Sequence, residues 1–253
     1  MKRQLDSTGI GMPLSNPIKV VPKDPESASL WRNFGRLAST VLPEGWTLVG
    51  GLMVQLHAYE AGDASVRVTT DIDILANARR QTIEKIARAL EADDFQLDLP
   101  SPIDGTSHRW RRGELVVDLL APEGLRRDPA IAGNIRTVQI PGGTQALQRT
   151  ETVDVEIDSI RVRVYRPTLL GAVLIKSRAI LVHADPDAQR ADLVLLLSLI
   201  DDPRQMAGQL KGRERIWLRN CEQRLGLEDA VLMASFPSSR VRRARLAFEL
   251  LIM

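Results

Sequence analysis

The sequence predicts a mixed α+β / α/β fold, with a sheet covered by helices followed by a helical part. Short apolar strands and amphipathic helices alternate over much of the chain, strand-like alternation stops near residue 166, and helical periodicity fills the rest. Apolar and charged residues make up 44% and 26% of the 253 residues, as in ordinary globular proteins. We expect an extended or partly disordered arm over 1–26, an α/β domain over 27–166 and a helical domain over 167–253.

Composition restricts the compartment and the chemistry. No apolar run approaches the ~18–20 residues of a membrane helix, and the N-terminus lacks the apolar centre of a signal peptide. The single Cys221 excludes an internal disulfide framework and cysteine-based zinc clusters, and we expect it to be a buried, small apolar residue. We therefore expect a cytoplasmic protein with no membrane partner. Arginine far outnumbers lysine, which weakly favours a phosphate-rich partner, although genome base composition has the same effect.

The elements of the first domain follow from apolar spacing and from turn residues. Glycine and proline are frequent before residue 26, where periodicity is weak. A helix is expected over 27–41, with Ser27 or Ser29 as its cap. The elements expected next are a strand over 46–49, a helix over 52–60, a strand over 66–75, a helix over 80–92, strands over 95–99, 109–111 and 114–120, a loop over 121–150 with a short helix at 144–148, and a hairpin of 151–157 and 160–165.

Helical periodicity takes over after the hairpin. Pro167 is expected to open the first helix, because proline suits the first helical turn. The helices expected are 167–182, 187–200, 204–211, 213–225, 226–235 and 238–251.

Two neighbouring features within 47–75 are the strongest functional pattern in the chain. Gly50 and Gly51 suit a close approach of the backbone to phosphates, and the helix after them points N–H groups at an anion. About twenty residues later, Asp71 and Asp73 lie in an apolar strand. Because strand side chains alternate between faces, the two carboxylates share one face and repel each other. Their natural partner is a hard divalent cation, typically Mg²⁺ carrying the phosphates of a nucleotide.

This combination resembles the DNA polymerase β-like nucleotidyltransferase superfamily. The variant here, VGGLMVQLHAYEAG followed by TTDIDIL, is most similar to the AbiEii/MenT-type nucleotidyltransferase toxins of bacterial toxin–antitoxin systems. The resemblance implies a polymerase β-like domain with a mixed sheet, followed by a C-terminal helical domain. It also implies that the Gly turn holds the phosphates of a nucleoside triphosphate (NTP), and that the Asp pair and a third Asp bind the metal ions. The superfamily often has Ser at the second Gly position, so Gly51 removes a hydroxyl contact to phosphate.

The resemblance assigns Asp118, in GELVVDLL, as the third carboxylate. A carboxylate in such an apolar strand is costly to bury without a cation or hydrogen bonds. Asp98, in FQLDLP, is the competing candidate, and its alternative interpretation is a strand-end carboxylate exposed to solvent. We favour Asp118 because its strand is longer and its flanks are more apolar.

Two further candidates lie in the helical part. Lys176 and Ala179 match the K-x-x-A pattern of the toxin family, whose Lys is thought to contact nucleotide phosphates; a solvated Lys is the alternative. Asp192 lies where the family has Lys-Asp-x-x-Asp-Leu, although Ala191 and Leu195 replace the Lys and the second Asp. Asp192 is therefore either a catalytic carboxylate, as a general base or a Lys176 partner, or a helical Asp favoured by the helix dipole.

Two arginine-rich groups could bind RNA or could be solvated charged faces. The first is 108–112, where Trp110 could stack on a base, and the second lies in the last helix. The members of the second group are Arg240, Arg242, Arg243 and Arg245. The histidines lack metal-ligand spacing and are assigned no site; His57 is expected to be structural, and the others are His108 and His183.

The sequence thus predicts a Mg²⁺-dependent enzyme that transfers a nucleoside monophosphate from an NTP, in a cleft between the two domains. By resemblance to the toxin family, the acceptor is RNA, at the 3′ end of tRNA, and a cognate antitoxin restrains the enzyme. The alternatives are transfer to a small molecule, as in aminoglycoside nucleotidyltransferases, or to a protein, and a non-catalytic nucleotide-binding module. An acidic substrate pocket would favour the small molecule, and a basic cleft would favour RNA.

Overall fold

The computed structural model describes residues 16–77, 81–183 and 186–253. Its elements, in chain order, are β1 (Ile18–Lys19), α1 (Pro25–Arg36) with a π-helical turn (Leu37–Val41), β2 (Trp46–Val49), α2 (Gly50–Glu60), β3 (Asp71–Ala76), α3 (Thr82–Ala92), β4 (Gln96–Leu97), β5 (Arg109–Arg112), β6 (Leu115–Pro122), β7 (Ala130–Ala132), β8 (Ile135–Arg136), β9 (Gln139–Ile140), α4 (Gly143–Gln148), β10 (Thr150–Ile157), β11 (Ile160–Pro167), α5 (Leu169–Val182), α6 (Asp187–Ser198), α7 (Pro203–Ala207), α8 (Glu214–Leu225), α9 (Ala230–Met233) and α10 (Ser238–Ile252).

A mixed six-stranded sheet forms the centre of the first part, as predicted. Its order is β2-β3-β6-β5-β4, and β9 pairs with the end of β6. The β3 and β6 strands are parallel, whereas β2 and β5 run antiparallel to their neighbours. The register pairs Asp73 with Val49 on one side and with Asp118 on the other. Because paired residues of neighbouring strands project to the same face, the register alone places these two carboxylates side by side.

A second sheet of β1, β10 and β11 packs beside the first through aromatic side chains. Trp46 of β2 meets Tyr165 of β11 edge-to-face, with ring centroids 5.4 Å apart. Phe34 of α1 lies against Trp46 at 6.1 Å, and Trp31 contacts Phe34 at 5.8 Å. These rings anchor α1 where both sheets meet, because large aromatic surfaces contribute most to core packing.

Buried polar groups tie α2 to its surroundings. The indole N–H of Trp31 donates to Gln55 Oε1 at 2.8 Å, and Gln55 Nε2 donates to the carbonyl of Arg67 at 2.9 Å. His57 Nε2 donates to the carbonyl of Pro167 at 3.0 Å. Burial, together with the charge of Arg166, lowers the pKa of His57 to about 3. His57 is therefore a neutral structural residue, as predicted.

Among the described residues from 169 to 252, the regular elements are all helices, in agreement with the predicted helical part. The α5 and α6 helices are buried over much of their length, and α10 packs along α6. Buried apolar residues form one cluster that includes side chains of both parts, so the division into domains at residue 166 stays a prediction. No helix among the described residues is long and apolar enough to cross a membrane.

Two helices begin at residues other than those predicted, because local capping residues set their first turns. The first helix begins at Pro25 rather than near Ser27, because Asp24 caps it and accepts from Ser27 N at 2.7 Å. Pro167 does not open α5; it is the last residue of β11, and Thr168 is the cap that accepts from Gly171 N.

Other differences lie where tertiary pairing decides the structure, while the helices predicted over 204–211 and 226–235 are shorter than expected, as α7 (Pro203–Ala207) and α9 (Ala230–Met233). Residues 66–70 were predicted as strand but lie outside β3, and 67–70 line the cleft described below. Residues 121–150 were predicted as loop with one helix, yet they contain three short strands besides α4. In the arm, Ile18 and Lys19 pair with β10, while residues 1–15 lie outside the described residues. Such short strands carry too little periodicity to be seen without their partners.

Candidate active-site cleft

A cleft of about 480 Å³ lies between the six-stranded sheet and the helices α5 and α6. The three predicted acidic residues lie on it, and one oxygen from each lies within 4.8 Å of the others. Asp71 and Asp73 project from β3 on one face, while Ile72 and Ile74 fill the core on the other. Asp118 is 5% exposed and comes from the middle of β6. The structure therefore brings together the three carboxylates that the sequence singled out.

The Gly pair lies against the carboxylates at the start of α2. Gly50 has φ +68, and a Cβ built there would lie 1.7 Å from Asp73 Oδ2. A Cβ on Gly51 would lie 2.5 Å from Thr69 Oγ1. Only glycine allows the backbone this close to both side chains. Both glycines line the cleft beside the acidic group, so the start of α2, where the first N–H groups of a helix have no partner within the helix, lies at the cleft.

Lys176 and Asp192 form a buried ion pair on the opposite wall. Lys176 Nζ lies 2.7 Å from Asp192 Oδ2 and donates to Gln189 Oε1 at 3.0 Å. Arg67 binds the same carboxylate through two hydrogen bonds, of 2.7 Å to Oδ1 and 2.9 Å to Oδ2. The Asp192 side chain is 2% exposed, and cations engage both of its oxygens. Of the roles predicted for Asp192, this geometry is that of a Lys176 partner.

Arg109 holds Asp118 from the neighbouring strand. The register of β5 and β6 sets the two residues opposite each other, and Arg109 Nε and Nη2 donate to the two Asp118 oxygens at 2.9 and 2.7 Å. Arg109 Nη2 also lies 3.7 Å from Asp71 Oδ2. The hydrogen bonds to Asp118 raise the pKa of Arg109 well above its ordinary value. His108 is a weaker neighbour, with Nε2 at 3.8 Å from Asp118 Oδ2.

The three carboxylates lie close enough to repel one another, and a divalent cation between them would relieve this repulsion. Burial, and then the charges of Asp71 and Asp118, raise the pKa of Asp73 to about 7, against the opposing charges of Lys176 and Arg67. Three carboxylates with converging oxygens match the oxygen ligands that Mg²⁺ prefers. The residues present therefore fit a Mg²⁺ ion held by Asp71, Asp73 and Asp118.

Comparison with known proteins adds a remote structural likeness. No protein-family model and no curated protein matches the chain. Among solved structures, the chain is similar to an antigenic nucleotidyltransferase-like protein from Paracoccidioides brasiliensis, with 14% identity and a TM-score of 0.46. The alignment covers 85% of this chain and 96% of that chain. So remote a likeness carries no argument about the chemistry of the cleft.

Other predicted candidates lie away from the acidic group. Asp98 is half-buried just after β4, where both of its oxygens accept from Arg111 Nε at 3.0 Å, so it is a strand-end carboxylate, as in the alternative interpretation, but one paired with an arginine. Trp110 is 1% exposed and packs in the core, so it cannot stack on a base. Its neighbour Arg112 pairs with Asp93.

In the last helix, three of the arginines have acidic neighbours, and RNA binding by this group stays a prediction. Arg240 is paired with Asp63 and Arg245 with Glu228, while Arg243 lies 3.8 Å from Asp201. Cys221 is buried, as predicted, and burial raises the pKa of its thiol to about 12.

Sequence reasoning missed Arg67 and Thr69 and placed Arg109 only in an RNA-binding group. Thr69 Oγ1 donates to Asp71 Oδ1 at 3.0 Å, beside Gly51. Arg67, Thr69, Asp71 and Asp73 are spaced two residues apart, and this spacing could have identified Arg67 and Thr69 as residues near the Asp pair. Nothing in the local sequence indicates that Arg109 faces Asp118, because that depends on strand register. His108 and His183, which were assigned no site, also line the cleft.

Proposed function

We propose that the protein is a Mg²⁺-dependent nucleotidyltransferase that transfers a nucleoside monophosphate from an NTP to an acceptor hydroxyl. One observation carries the proposal: three carboxylate oxygens within 4.8 Å of one another share a cleft with the glycine-lined start of α2. A carboxylate group of this kind binds a hard divalent cation, and a helix start binds phosphate oxygens. Their combination in one cleft suits a metal–triphosphate complex better than either feature alone.

Each group of residues in the cleft has a separate role in the proposed reaction. Asp71, Asp73 and Asp118 hold Mg²⁺, which when bound lowers the pKa of the acceptor hydroxyl and offsets the charge of the triphosphate. The backbone N–H groups at Gly50 and Gly51 bind phosphate oxygens. The acceptor oxygen forms a bond to the α-phosphorus, the bond from that phosphorus to the bridging oxygen breaks, pyrophosphate leaves, and the hydroxyl proton passes to solvent.

Asp192 serves this reaction by positioning Lys176 rather than by accepting the proton. Both of its oxygens are engaged, by Lys176 and by Arg67. The pair fixes the Lys176 ammonium at the wall of the cleft, where its charge acts on Asp73. A buried cation held in this way favours the negatively charged triphosphate without having to be ordered during the reaction.

The acceptor in this proposal is RNA, at the 3′ end of tRNA, and the enzyme acts as a toxin restrained by a cognate antitoxin. The sequence resemblance supports this part. The cleft adds one observation: among the described residues, the helical part contributes polar side chains to the lining but no carboxylate, namely Lys176, His183 and Gln189. A polycationic small molecule such as an aminoglycoside needs acidic groups there, so an anionic acceptor fits better.

A labelling assay tests the proposal. Purified protein is incubated with Mg²⁺, each α-³²P-labelled NTP in turn, and total tRNA. We expect label on tRNA with the wild type and none with Asp71→Ala, because the variant lacks a metal ligand. Asp98→Ala is the matched control: it removes a strand-end carboxylate of the same sheet outside the cleft, and it should label like the wild type.

The outcomes of this assay test the RNA acceptor and the transfer chemistry separately. Label on proteins or small molecules but not on tRNA would refute the RNA acceptor and keep the transfer chemistry. Asp71-dependent binding of NTP without transfer to any acceptor would identify a non-catalytic nucleotide-binding module instead.

A further inference from the structure

Arg109 lies against two of the three carboxylates of the proposed metal site. Its Nη2 lies 2.7 Å from Asp118 Oδ2 and 3.7 Å from Asp71 Oδ2, and therefore lies near both. Mg²⁺ binds oxygen ligands at about 2.0–2.1 Å, closer than the guanidinium lies to either oxygen, so a bound ion would compete with Arg109 for these carboxylates. Arg109 Nε and Nη2 together engage both Asp118 oxygens, which leaves neither oxygen free of the cation.

The other two cations that the described residues bring to the cleft are held differently. Arg67 and Lys176 are bound to Asp192, which is not one of the converging carboxylates. A metal bound at the acidic group would therefore not compete directly with Arg67 or Lys176 for a carboxylate. Arg109 alone of these three is hydrogen-bonded to a proposed metal ligand, and its side chain is 37% exposed and lines the open cleft. It can move away from Asp118 without uncovering the core.

We propose that Arg109 is the resident counter-cation of Asp118, that a divalent metal displaces it, and that the released guanidinium then binds the triphosphate. The inference rests on the proposed function, because it presupposes the metal site. Metal and guanidinium compete for the same carboxylate, since two cations on one buried carboxylate repel each other. Once released, Arg109 is a planar donor with the geometry for bidentate phosphate binding, at the edge of the same cleft.

The decisive variant is Arg109→Gln, and the probes are Mn²⁺ alone and Mn²⁺ with inorganic tripolyphosphate. Free Mn²⁺ is measured by electron paramagnetic resonance, and tripolyphosphate binding by titration calorimetry. We expect Arg109→Gln to bind Mn²⁺ alone about tenfold more tightly, the lower end of what hydrogen bonds to a charged group contribute. We expect the same variant to bind tripolyphosphate with Mn²⁺ about tenfold more weakly, because a phosphate ligand is lost.

Arg111→Gln is the matched control. Arg111 follows Arg109 on the same face of β5 and also pairs with an aspartate, Asp98, but outside the cleft. Both affinities should equal those of the wild type. Arg109→Lys guards against a folding defect in the Gln variant: it keeps the charge but cannot make two parallel hydrogen bonds, so its Mn²⁺ affinity should lie between those of the wild type and Arg109→Gln.

The outcomes distinguish this inference from the proposed function. If Arg109→Gln leaves Mn²⁺ affinity unchanged or weakens it, Arg109 does not compete with the metal and the inference is wrong. If tripolyphosphate affinity is unchanged, the released guanidinium does not bind phosphate. If the wild type shows no Mn²⁺ binding that Asp71→Ala abolishes, the metal site itself is wrong, and the proposed function fails with it.

Discussion

Gly50→Ala is the substitution for which the structure predicts the clearest effect. Gly50 combines a left-handed backbone, with φ +68, and a close approach to Asp73, whose Oδ2 would lie 1.7 Å from the new Cβ. No Cβ can share that space, so either Asp73 leaves the acidic group or the start of α2 shifts. Either response should separate the carboxylates from the helix start that the proposed site needs together.

Gly62→Ala is the control that separates the cost of the left-handed backbone from the cost of the steric conflict with Asp73. Gly62 also has a left-handed backbone, with φ +73, at the other end of α2, and a Cβ there meets nothing within 4 Å. It should cost only the backbone penalty of about 1–2 kcal/mol. Gly50→Ala adds the steric conflict, about 1–3 kcal/mol for overpacking, so its total should be about 2–5 kcal/mol.

The assay is urea unfolding followed by tryptophan fluorescence, together with Mn²⁺ binding and tRNA labelling. Gly62→Ala should lower the free energy of unfolding modestly and keep metal binding and transfer. Gly50→Ala should be the less stable of the two and should lose both activities. Equal unfolding free energies, with Mn²⁺ affinity retained in Gly50→Ala, would refute the close approach of Gly50 and Asp73.

Three further predictions concern buried groups. Asp192→Asn removes the partner of Arg67 and Lys176 and should lower the free energy of unfolding by about 3–5 kcal/mol, measured in urea; a loss below 1 kcal/mol would contradict the buried ion pair. His57 has a pKa of about 3 when folded and 6.5 when unfolded, so the unfolded chain binds more protons between these values. Its contribution to stability is therefore complete above pH 6.5 and is lost as pH falls towards 3, by up to about 3–5 kcal/mol; His57→Gln should flatten this part of the profile, and an unchanged slope would count against the assignment. Cys221, whose burial raises the thiol pKa to about 12, should react with a thiol reagent only on unfolding, and rapid labelling of the native protein would show that it is accessible.

Element positions were predicted well where the pattern was local and strong. The β2 strand has the predicted bounds, and the β10–β11 hairpin and the α3 helix lie within two residues of theirs. The predictions failed where a partner decides the structure. The strands β7, β8 and β9 form because they pair with neighbouring strands, whereas residues 66–70 precede β3 and belong to no strand.

The sequence by itself determined the chemical types of the candidate site. Alternation along a strand is enough to put Asp71 and Asp73 on one face, and the apolar flanks of Asp118 are enough to mark it as a carboxylate that needs a cation or hydrogen bonds. The glycine pair is likewise visible in the sequence, since few other residues tolerate such a backbone. These features are local, and a linear sequence states them directly.

Only the tertiary structure decided which charges meet. Strand register sets Asp118 between Asp73 and Arg109, and a shift of one residue would turn these side chains to opposite faces. Helix packing brings Asp192 to Arg67 across 125 positions of the chain. The sequence does not show which distant charged residues pair, because a salt bridge depends on distance and burial rather than on residue type alone.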